Sequence, residues 1–543
     1  MSNNEELLFS DFSPVTSEIW KNKIISDIKG ADYNKRMVWK TLEGFDVQPF
    51  YTSEHLDNVA YLDSLPGTFP FVRGKRTHNS WYIRQDIEVQ SIEQANKKAL
   101  TLINKGVTSL GFIIHDGNIF TEKEIEILLT DINIQEVEIN FVLECGKTHL
   151  LNSFFTYCTN KGVEKSTVQG SINIDYLGNL VLQGIFCHNN EQLCNDTVNE
   201  VAVSSREFCK FRTCDIRGDY FHNAGASLYQ ELSFALSQGV EYLTRAVKAG
   251  ISVREFTRKM QFRFSVGTNY FMEIAKLRAA RYLWAKIVEQ YNPQCSSNCC
   301  NSQEKKCCGE SDNSICWCAG KMNIHSITSL WNKSMYDSYI NMLRSQTEAM
   351  SAILGGCDSL TILPYNSIQG ETNEFSERIA RNQQLLLKEE CRFDAICDPA
   401  AGSYYIEQLT DFLIEKSWDL FLQIENKGGF VEAFKHGFIQ QIIENNAEIL
   451  EKNISSRRST VLGLNQYPNF NETIQTELNE VVFAKQYTPH PQAIAKPITL
   501  FRGPQAIEQL RYITDRWAAK NYRPTVFMFT IGNIAMRNAR SQF

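Results

Sequence analysis

The sequence predicts an α/β protein built on a (β/α)8 TIM barrel. Short β-rich runs alternate with longer helical patterns along most of the chain. The strand candidates begin near Trp81, Ser109, Val137, Gly170, Phe211, Met260, Met322 and Asp358. Strands alternating with helices form right-handed βαβ units and a parallel sheet, and eight such units suit a closed barrel. An open doubly wound sheet is the alternative, and in both folds ligands bind at the carboxyl ends of the strands.

Composition excludes several classes of protein. The 543 residues include 55 Lys+Arg and 62 Asp+Glu, which gives a net charge of −7, with 43% hydrophobic and 22% charged residues. This is the balance of a folded domain, and it lacks the basic patch that nucleic-acid binding requires. No apolar run approaches the roughly 18 residues that span a bilayer, and the first residues do not resemble a signal peptide. We therefore expect a cytoplasmic protein without nucleic-acid or membrane partners.

The chain divides into four parts. Residues 1–55 form an N-terminal arm with a predicted helix from about Trp20, and 56–400 form the barrel with a cysteine-rich insert at 293–320. Residues 401–500 are a helical region and linker, and 501–543 contain a predicted helix followed by a buried-type strand, Thr525–Thr530. One helix and one strand cannot close a core. Either the chain ends inside a third domain or this tail docks on the barrel.

The arm is rich in aromatic residues that need cover. These are Phe9, Phe12, Trp20, Trp39, Phe45, Phe50 and Tyr51. We therefore expect another surface to cover this arm.

Generic catalytic motifs are absent: no Walker loop, G-x-G-x-x-G, H-E-x-x-H or G-x-S-x-G occurs. Two places could nevertheless carry chemistry. His325 lies in the seventh predicted strand, where it could polarise a carbonyl or be a hydrogen-bonded interior histidine. Arg73-Gly74-Lys75-Arg76 could bind phosphate oxygens or be a solvated loop.

The insert holds seven cysteines that could bind Zn²⁺ or a soft metal. They are Cys295, Cys299, Cys300, Cys307, Cys308, Cys316 and Cys318. Their spacing is not the paired C-x-x-C pattern, so two alternatives stay open. The segment is either a low-complexity insertion with incidental thiols or a redox-active segment. Surface insertions cost little closure entropy, about 0.6 kcal/mol per doubling of length. We therefore expect that residues 295–318 can be deleted without unfolding the barrel.

A series of segments in a fixed order gives the chain a family resemblance. The segments are Pro66-Gly67, Pro70–Gly74, Trp81–Gln85, Met272–Lys286, Arg344 with Thr347–Met350, Ser376 with Arg378–Asn382, and Asp398–Tyr405. Within a region from about Trp39 to Asn469, they resemble the methylmalonyl-CoA mutase family. Trp331–Asp337 and Leu354–Tyr365 resemble the small (β) subunit of its heterodimeric members.

The resemblance implies a barrel threaded by an acyl-CoA chain and a flavodoxin-like domain that binds adenosylcobalamin. The family reaction is a radical 1,2-rearrangement between succinyl-CoA and (R)-methylmalonyl-CoA. The implied partner is a large (α) subunit that holds the adenosylcobalamin, with no cofactor on this chain. The resemblance also implies that the N-terminal arm, residues 1–55, wraps this partner. The positions that match the family's substrate/CoA path are Arg73, Gly74, Arg84, Gln85 and His325.

The chain departs from catalytic members at several positions. Asp86 stands where they have a tyrosine wedge, and Tyr220 stands where they have a histidine that bonds the thioester, with His222 two places later. The second strand ends at His115–Gly117 without their long polar loop. We therefore interpret Asp86, Tyr220 and His325 as vestigial positions and expect no catalytic residue on this chain.

The cobalt-ligating motif Asp-x-His-x-x-Gly does not occur, since no histidine of the sequence has an aspartate two residues before it. Residues 501–543 resemble the start of a degenerate cobalamin domain that is then truncated.

The predicted function is the non-catalytic small subunit of an adenosylcobalamin-dependent methylmalonyl-CoA mutase. A catalytic acyl-CoA mutase that uses a cobalamin domain supplied in trans is the second hypothesis. A metal- or redox-sensing scaffold acting through the insert is the third.

Overall fold

Nine parallel strands form the central sheet. The computed structural model describes residues 15–115, 121–143, 149–187, 190–294, 315–370, 372–474, 478, 480–485, 490–527, 529, 531–534 and 536. The strands are β1 Tyr82–Glu88, β2 Ser109–Ile114, β3 Glu138–Leu143, β4 Gln169–Ile172, β5 Lys210–Arg212, β6 Cys214–Arg217, β7 Met260–Val266, β8 Ile324–Thr328 and β9 Ser359–Thr361. Their order in the sheet is β5-β4-β3-β2-β1-β9-β8-β7-β6.

The two edge strands of this sheet are consecutive in the chain. Only Thr213 separates β5, which pairs with β4, from β6, which pairs with β7. The N–H of Asp215 also bonds the carbonyl of Ile174, just beyond β4, at 3.2 Å. Strands β5 and β6 are therefore two halves of one bent strand, and the sheet forms a TIM-barrel-like ring of eight strand positions. All eight predicted strand positions are confirmed, and the open-sheet alternative is not supported.

Helices cover the outside of the ring. They are Ile92–Asn104, Glu122–Leu128, His149–Asn160, Tyr176–Gln183, Glu191–Ser204, Gly218–Asn223, Leu228–Lys248, Val253–Thr257, Tyr270–Gln290, Ile340–Leu354 and Glu374–Leu385. Local caps set several starts: Ser91 accepts the N–H of Gln94, and Thr121 and Glu124 form a reciprocal capping box. Among the described helices, none is long and apolar enough to cross a membrane.

Alternation along the strands separates apolar from polar side chains. In β1, Ile83 and Ile87 join the hydrophobic core under the helices, and Leu110 and Phe112 do the same in β2. The side chains of opposite parity bond one another inside the ring. This polar set comprises Arg84, Asp86, Ser109, Glu138, Asn140, Ser171, Arg212, Asp215, Gln261, Arg263, His325 and Ser359. TIM barrels are usually filled by Val, Ile and Leu at these positions, so a polar interior is a distinguishing feature of this chain.

The C-terminal helices are Tyr404–Glu425, Phe430–Lys435, Phe438–Ser455 and Gln505–Ala518. The first of them packs on the barrel helices Leu228–Lys248 and Tyr270–Gln290. Its outer side receives the second half of the arm, where the rings of Phe45 and Phe412 lie 4.9 Å apart and those of Tyr51 and Tyr405 lie 5.7 Å apart. This part of the arm is therefore covered by the chain itself.

The first half of the arm is different. It consists of the helices Ser17–Asp27 and Tyr33–Arg36. The hairpin of Trp39–Lys40 with Asp46–Val47, which carries Phe45 in its turn, begins the second half. The helix Ser17–Asp27 buries none of its residues, and Trp20 is 53% exposed.

The predicted strand Thr525–Thr530 is wrong in its described part. Residues 525–527 form no strand, and Val526 and Phe527 are 85% and 87% exposed. An apolar run has strand propensity, but a lone strand with no neighbour to pair is unstable. The preceding helix docks on the barrel, because Glu508 Oε1 accepts the N–H of Met335 at 2.6 Å.

The cysteine-rich insert leaves and re-enters the barrel wall at adjacent points. Gln294 and Ile315 form an antiparallel bridge, and the N–H of Cys316 bonds the carbonyl of Pro293 at 2.7 Å. Cys316 and Cys318 lie in the hydrophobic core. Because these two residues belong to the wall, we now expect deletion as far as Cys318 to destabilise the barrel. The other five cysteines lie outside the described residues.

Replacing residues 295–314 by two glycines is expected to leave the melting temperature within about 2 °C of the parent, since the bridge already holds both ends together. A matched deletion of 295–318 should melt far lower, because it removes buried side chains. Thermal unfolding followed by circular dichroism measures both. A structural metal site in the insert would give a different result. The shorter deletion would then melt far below the parent, and Zn²⁺ would raise the melting temperature of the parent but not that of the deletion.

Candidate functional site

Four arginine–carboxylate pairs lie in or beside the interior of the barrel. They are Arg84 Nε with Asp86 Oδ1 at 2.7 Å, Arg212 with Glu138, Arg263 Nη2 with Asp215 Oδ2 at 2.8 Å, and Arg217 with Asp219 through two bonds of 2.7 Å. Each guanidinium therefore has its own carboxylate. The formal charges of the interior cancel pair by pair, as burial of charge demands.

Smaller polar side chains connect three neighbouring strands. Ser109 Oγ donates to Glu138 Oε2 at 2.7 Å, and Asn140 Nδ2 donates to Ser109 Oγ at 2.9 Å. Ser171 Oγ in turn donates to Asn140 Oδ1 at 2.7 Å. This chain of bonds holds the Glu138 carboxylate toward Arg212, so the interior is an ordered network.

The amino end of the barrel is spanned by other side chains. The hydroxyl of Tyr82 in β1 donates to Gln169 Oε1 in β4, three strand positions around the ring. Below them Lys75 Nζ lies 2.9 Å from Asp358 Oδ2 and donates to Asn323 Oδ1 at 2.6 Å. Burial lowers the pKa of Lys75 to about 8. These contacts place large side chains across the axis at this end.

His325 lies within the interior network. Its Nδ1 is hydrogen-bonded to Ser359 Oγ at 2.8 Å, and its Nε2 lies 3.5 Å from Thr361 Oγ1. Burial and the positive charge of the nearby arginines, Arg84 foremost, hold its pKa well below the ordinary value, so the imidazole is neutral. This environment is that of a hydrogen-bonded interior histidine, and a place on an acyl-CoA path stays a prediction.

Neighbouring residues of β1 face opposite ways. Arg84 lies inside the barrel near His325 and bonds Asp86, whereas Gln85 points outward and donates to Glu377 Oε2 at 3.0 Å. Tyr220 also lies by the interior: its ring centroid is 4.0 Å from the guanidinium carbon of Arg217, and burial raises its pKa to about 12.

Arg73 and Gly74 lie away from this group. Arg73 is buried and bonds Asp398 Oδ2 at 3.2 Å and Glu407, and Arg278 bonds the other oxygen of Glu407 at 2.8 Å. Gly74 has φ +117°, and a Cβ there would lie 2.9 Å from Cys397 Sγ, which explains the glycine. The solvated-loop alternative is wrong for Arg73, because its guanidinium is enclosed by carboxylates. Its role toward CoA stays a prediction.

Sequence reasoning missed a second buried group at the carboxyl ends of β7 and β8. Lys276 Nζ lies 2.7 Å from both Glu231 Oε2 and Glu273 Oε2, and His222 Nε2 is hydrogen-bonded to Ser329 Oγ at 2.8 Å. Burial acts to lower the pKa of Lys276, but the two carboxylates prevail and raise it. His222, Glu273 and Ser329 line a cavity of about 510 Å³. The one sequence signal was the spacing of Glu273 and Lys276, which places both on one helix face.

Metal ligation receives no support from the residues that the structure describes. No group of three His, Cys, Asp or Glu among them could hold a metal ion. Cys316 and Cys318 are core residues, and Cys295, Cys299, Cys300, Cys307 and Cys308 lie outside the described part. A metal site in the insert therefore stays a prediction.

Comparison with known proteins gives consistent matches. The family model for methylmalonyl-CoA mutase matches residues 40–117, 115–300 and 310–497. The chain is 40% identical over 547 residues to the methylmalonyl-CoA mutase small subunit of Porphyromonas gingivalis, covering 100% of this chain and 83% of that one. The small subunit of Streptomyces virginiae is 28% identical over 553 residues, with coverages of 99% and 82%. The methylmalonyl-CoA mutase of Rhizobium meliloti is 31% identical over 461 residues, which are 80% of this chain and 62% of that one.

Proposed function

The chain belongs to the methylmalonyl-CoA mutase family, and from that premise we propose that it is the small (β), non-catalytic subunit of an adenosylcobalamin-dependent mutase. Its partner is a large (α) subunit that interconverts succinyl-CoA and (R)-methylmalonyl-CoA by radical rearrangement. Similarity to two small subunits over almost the whole chain supports this choice.

The filled barrel is the observation that carries the non-catalytic role. A substrate threaded along the axis needs a channel, whereas four ion pairs and the Tyr82–Gln169 contact occupy the interior. Displacing one member of a buried pair leaves an uncompensated charge, which costs about 3–5 kcal/mol. Threading an acyl-CoA would break several such contacts.

Asp86 also supports this proposal. It replaces a neutral aromatic wedge by a carboxylate that is bonded to Arg84. A carboxylate at the carboxyl end of the barrel repels the carboxylate of succinyl- or methylmalonyl-CoA. Tyr220 stands at the position of the missing histidine, where its ring packs against the guanidinium of Arg217. Burial raises its pKa to about 12, so it offers no base near neutral pH.

The described residues do not fit adenosylcobalamin. No described histidine follows an aspartate by two residues, and the imidazoles of His222 and His325 are engaged with Ser329 and Ser359. We therefore assign the cofactor, which supplies the radical in the holoenzyme, to the partner subunit.

The first half of the arm is the proposed contact with that partner. The helix Ser17–Asp27 contains no buried residue, and Val15, Ile19 and Trp20 at its start stay exposed. Its contacts with its own chain are small, such as the Trp20 ring 5.5 Å from that of Phe50. Aromatic and aliphatic side chains of this kind anchor obligate interfaces, which bury on the order of 2,000 Å² or more.

Co-expression with a mutase large subunit is expected to give a 1:1 complex on size-exclusion chromatography. Deletion of residues 1–30 removes the exposed helix but leaves Phe45 and Tyr51 packed against the helix Tyr404–Glu425. This deletion should weaken the complex at least about tenfold. Trp517→Asp, on an exposed side chain of the C-terminal helix, is the matched control. Separate elution of both full-length chains at micromolar concentration would contradict the subunit assignment, whereas an unweakened complex of the deletion would contradict only the proposed interface.

A further inference from the structure

The segment from Val15 to Lys40 has a charge opposite to that of the rest of the chain. It comprises the first half of the arm and the first strand of the arm hairpin, and we call it the basic segment. Five lysines, one arginine and three acidic residues give it a net charge of +3, whereas the whole chain carries −7, so the other residues together carry −10. All six cations of the basic segment are exposed: Lys21, Lys23, Lys29, Lys35, Arg36 and Lys40.

The barrel does not neutralise the basic segment. In the described part of the chain, one ion pair involves these cations, and it joins Lys23 Nζ to Asp27 Oδ1 at 2.9 Å within a single helix. Asp32 serves as a helix cap, since its Oδ1 accepts the N–H of Asn34 at 2.9 Å. Most of the positive charge therefore stays unpaired among the described residues, and it is available to attract a second, acidic molecule.

The apolar side chains of the helix Ser17–Asp27 indicate the shape of the surface that receives it. Successive helical residues turn by about 100°, which places Trp20 and Ile25 roughly 100° and 240° around the axis from Ile19. All three are exposed, and Lys21 lies between the last two. A helix on a membrane surface has one apolar face and one charged face, whereas apolar side chains around most of a helix call for enclosure by protein. A groove that surrounds the helix meets this requirement.

We propose that the basic segment binds in an acidic groove of the large subunit, an inference that rests on the proposed function. Trp20 and Ile25 contact an apolar floor of this groove. The lysines and the arginine pair with carboxylates along its sides. Charge complementarity of this kind accelerates the encounter of two proteins, whereas buried aromatic anchors slow their separation. The inference therefore assigns the association rate to the cations and the dissociation rate to Trp20.

Binding kinetics of the full-length chain with the large subunit test the proposal. Raising NaCl from about 50 to about 500 mM should lower the association rate constant at least about tenfold, because salt screens the attraction. The double variant Lys21→Glu with Lys35→Glu should have the same effect at low salt. Its matched control, Lys97→Glu with Lys123→Glu at exposed positions of barrel helices, should change that rate constant less than about twofold. Trp20→Ala should instead raise the dissociation rate constant at least about tenfold.

The outcomes separate this inference from the subunit assignment. A complex whose association ignores both salt and the charge reversal would overturn the inference alone, and so would equal losses in the reversal and its control. If the unmodified chains form no complex, the subunit assignment fails and the inference fails with it.

Two further measurements test other occupants. Vesicles of phosphatidylserine and phosphatidylcholine replace the large subunit in the binding assay, and sedimentation equilibrium of the chain alone measures self-association. We expect neither vesicle binding nor a dimer at micromolar concentration. Vesicle binding that the charge reversal abolishes would assign the basic segment to an anionic membrane, and a salt-sensitive dimer would assign it to a second copy of the chain. Either result would overturn the proposal.

Discussion

No conversion of succinyl-CoA to methylmalonyl-CoA is expected from the purified chain supplied with adenosylcobalamin, at a sensitivity of about a thousandth of the rate of a holoenzyme. The interior is occupied by paired side chains, Asp86 opposes the substrate carboxylate, and the imidazoles of His222 and His325 are engaged with serines. Turnover is measured by chromatographic detection of methylmalonyl-CoA, and the complex of both subunits is the positive control.

The same assay separates the two subunit hypotheses. A separately expressed cobalamin domain is added to the chain without the large subunit. Turnover in that mixture would contradict the non-catalytic proposal and support catalysis with a domain supplied in trans. We expect no turnover in that mixture, and we expect turnover to appear when the large subunit is added.

Glu407→Ala is expected to destabilise the fold by about 3–5 kcal/mol, because it leaves two buried guanidinium groups short of a carboxylate. Glu407 is bonded to Arg73 and Arg278, and its Oε1 also accepts the N–H of Gly402 at 2.8 Å. Asp398 remains 3.2 and 3.4 Å from the two arginines and compensates only in part. Urea unfolding measures the loss, and Glu415→Ala, an exposed position on the same helix, should be nearly neutral.

The pH dependence of this contribution has a definite sign. Burial acts to raise the pKa of Glu407, but Arg278 and Arg73 prevail and hold it below the ordinary value. The stabilisation is therefore complete above the unfolded pKa near 4.3 and is lost as the pH falls through the lower folded value. The difference between parent and variant should shrink in acid. A difference that stays constant into acid would show that the lost stability comes from packing instead.

The barrel was predictable because its signal is local. Strand–helix alternation recurs in every unit, and the polar parity of Arg84 and Asp86 against Ile83 and Ile87 can be read in β1. Their partners could not be predicted in the same way, since the pairing of Arg212 with Glu138 depends on strands far apart in the sequence. The ion pair of Glu231 with Lys276 was missed for the same reason.

Two errors show where composition misleads. The crowding of cysteines assigns Cys316 and Cys318 to the insert. In the structure they belong to the barrel wall, and the ring of Trp317 between them lies 4.3 Å from the ring of Phe69. The run Thr525–Thr530 has the composition of a buried strand, but pairing depends on a neighbour that composition does not reveal. In both places tertiary context overrode a local pattern.

The polar interior of the barrel also has a thermal consequence. Unfolding exposes both apolar and polar surface to water. Hydration of apolar surface raises the heat capacity by about 0.45 cal/K/mol per Å², whereas hydration of polar surface lowers it by about 0.26 cal/K/mol per Å². A ring whose inward layer consists of arginines, carboxylates and amides exposes more of the second kind than a ring filled with valine and leucine. Its heat capacity of unfolding is correspondingly smaller, and its stability curve against temperature is flatter.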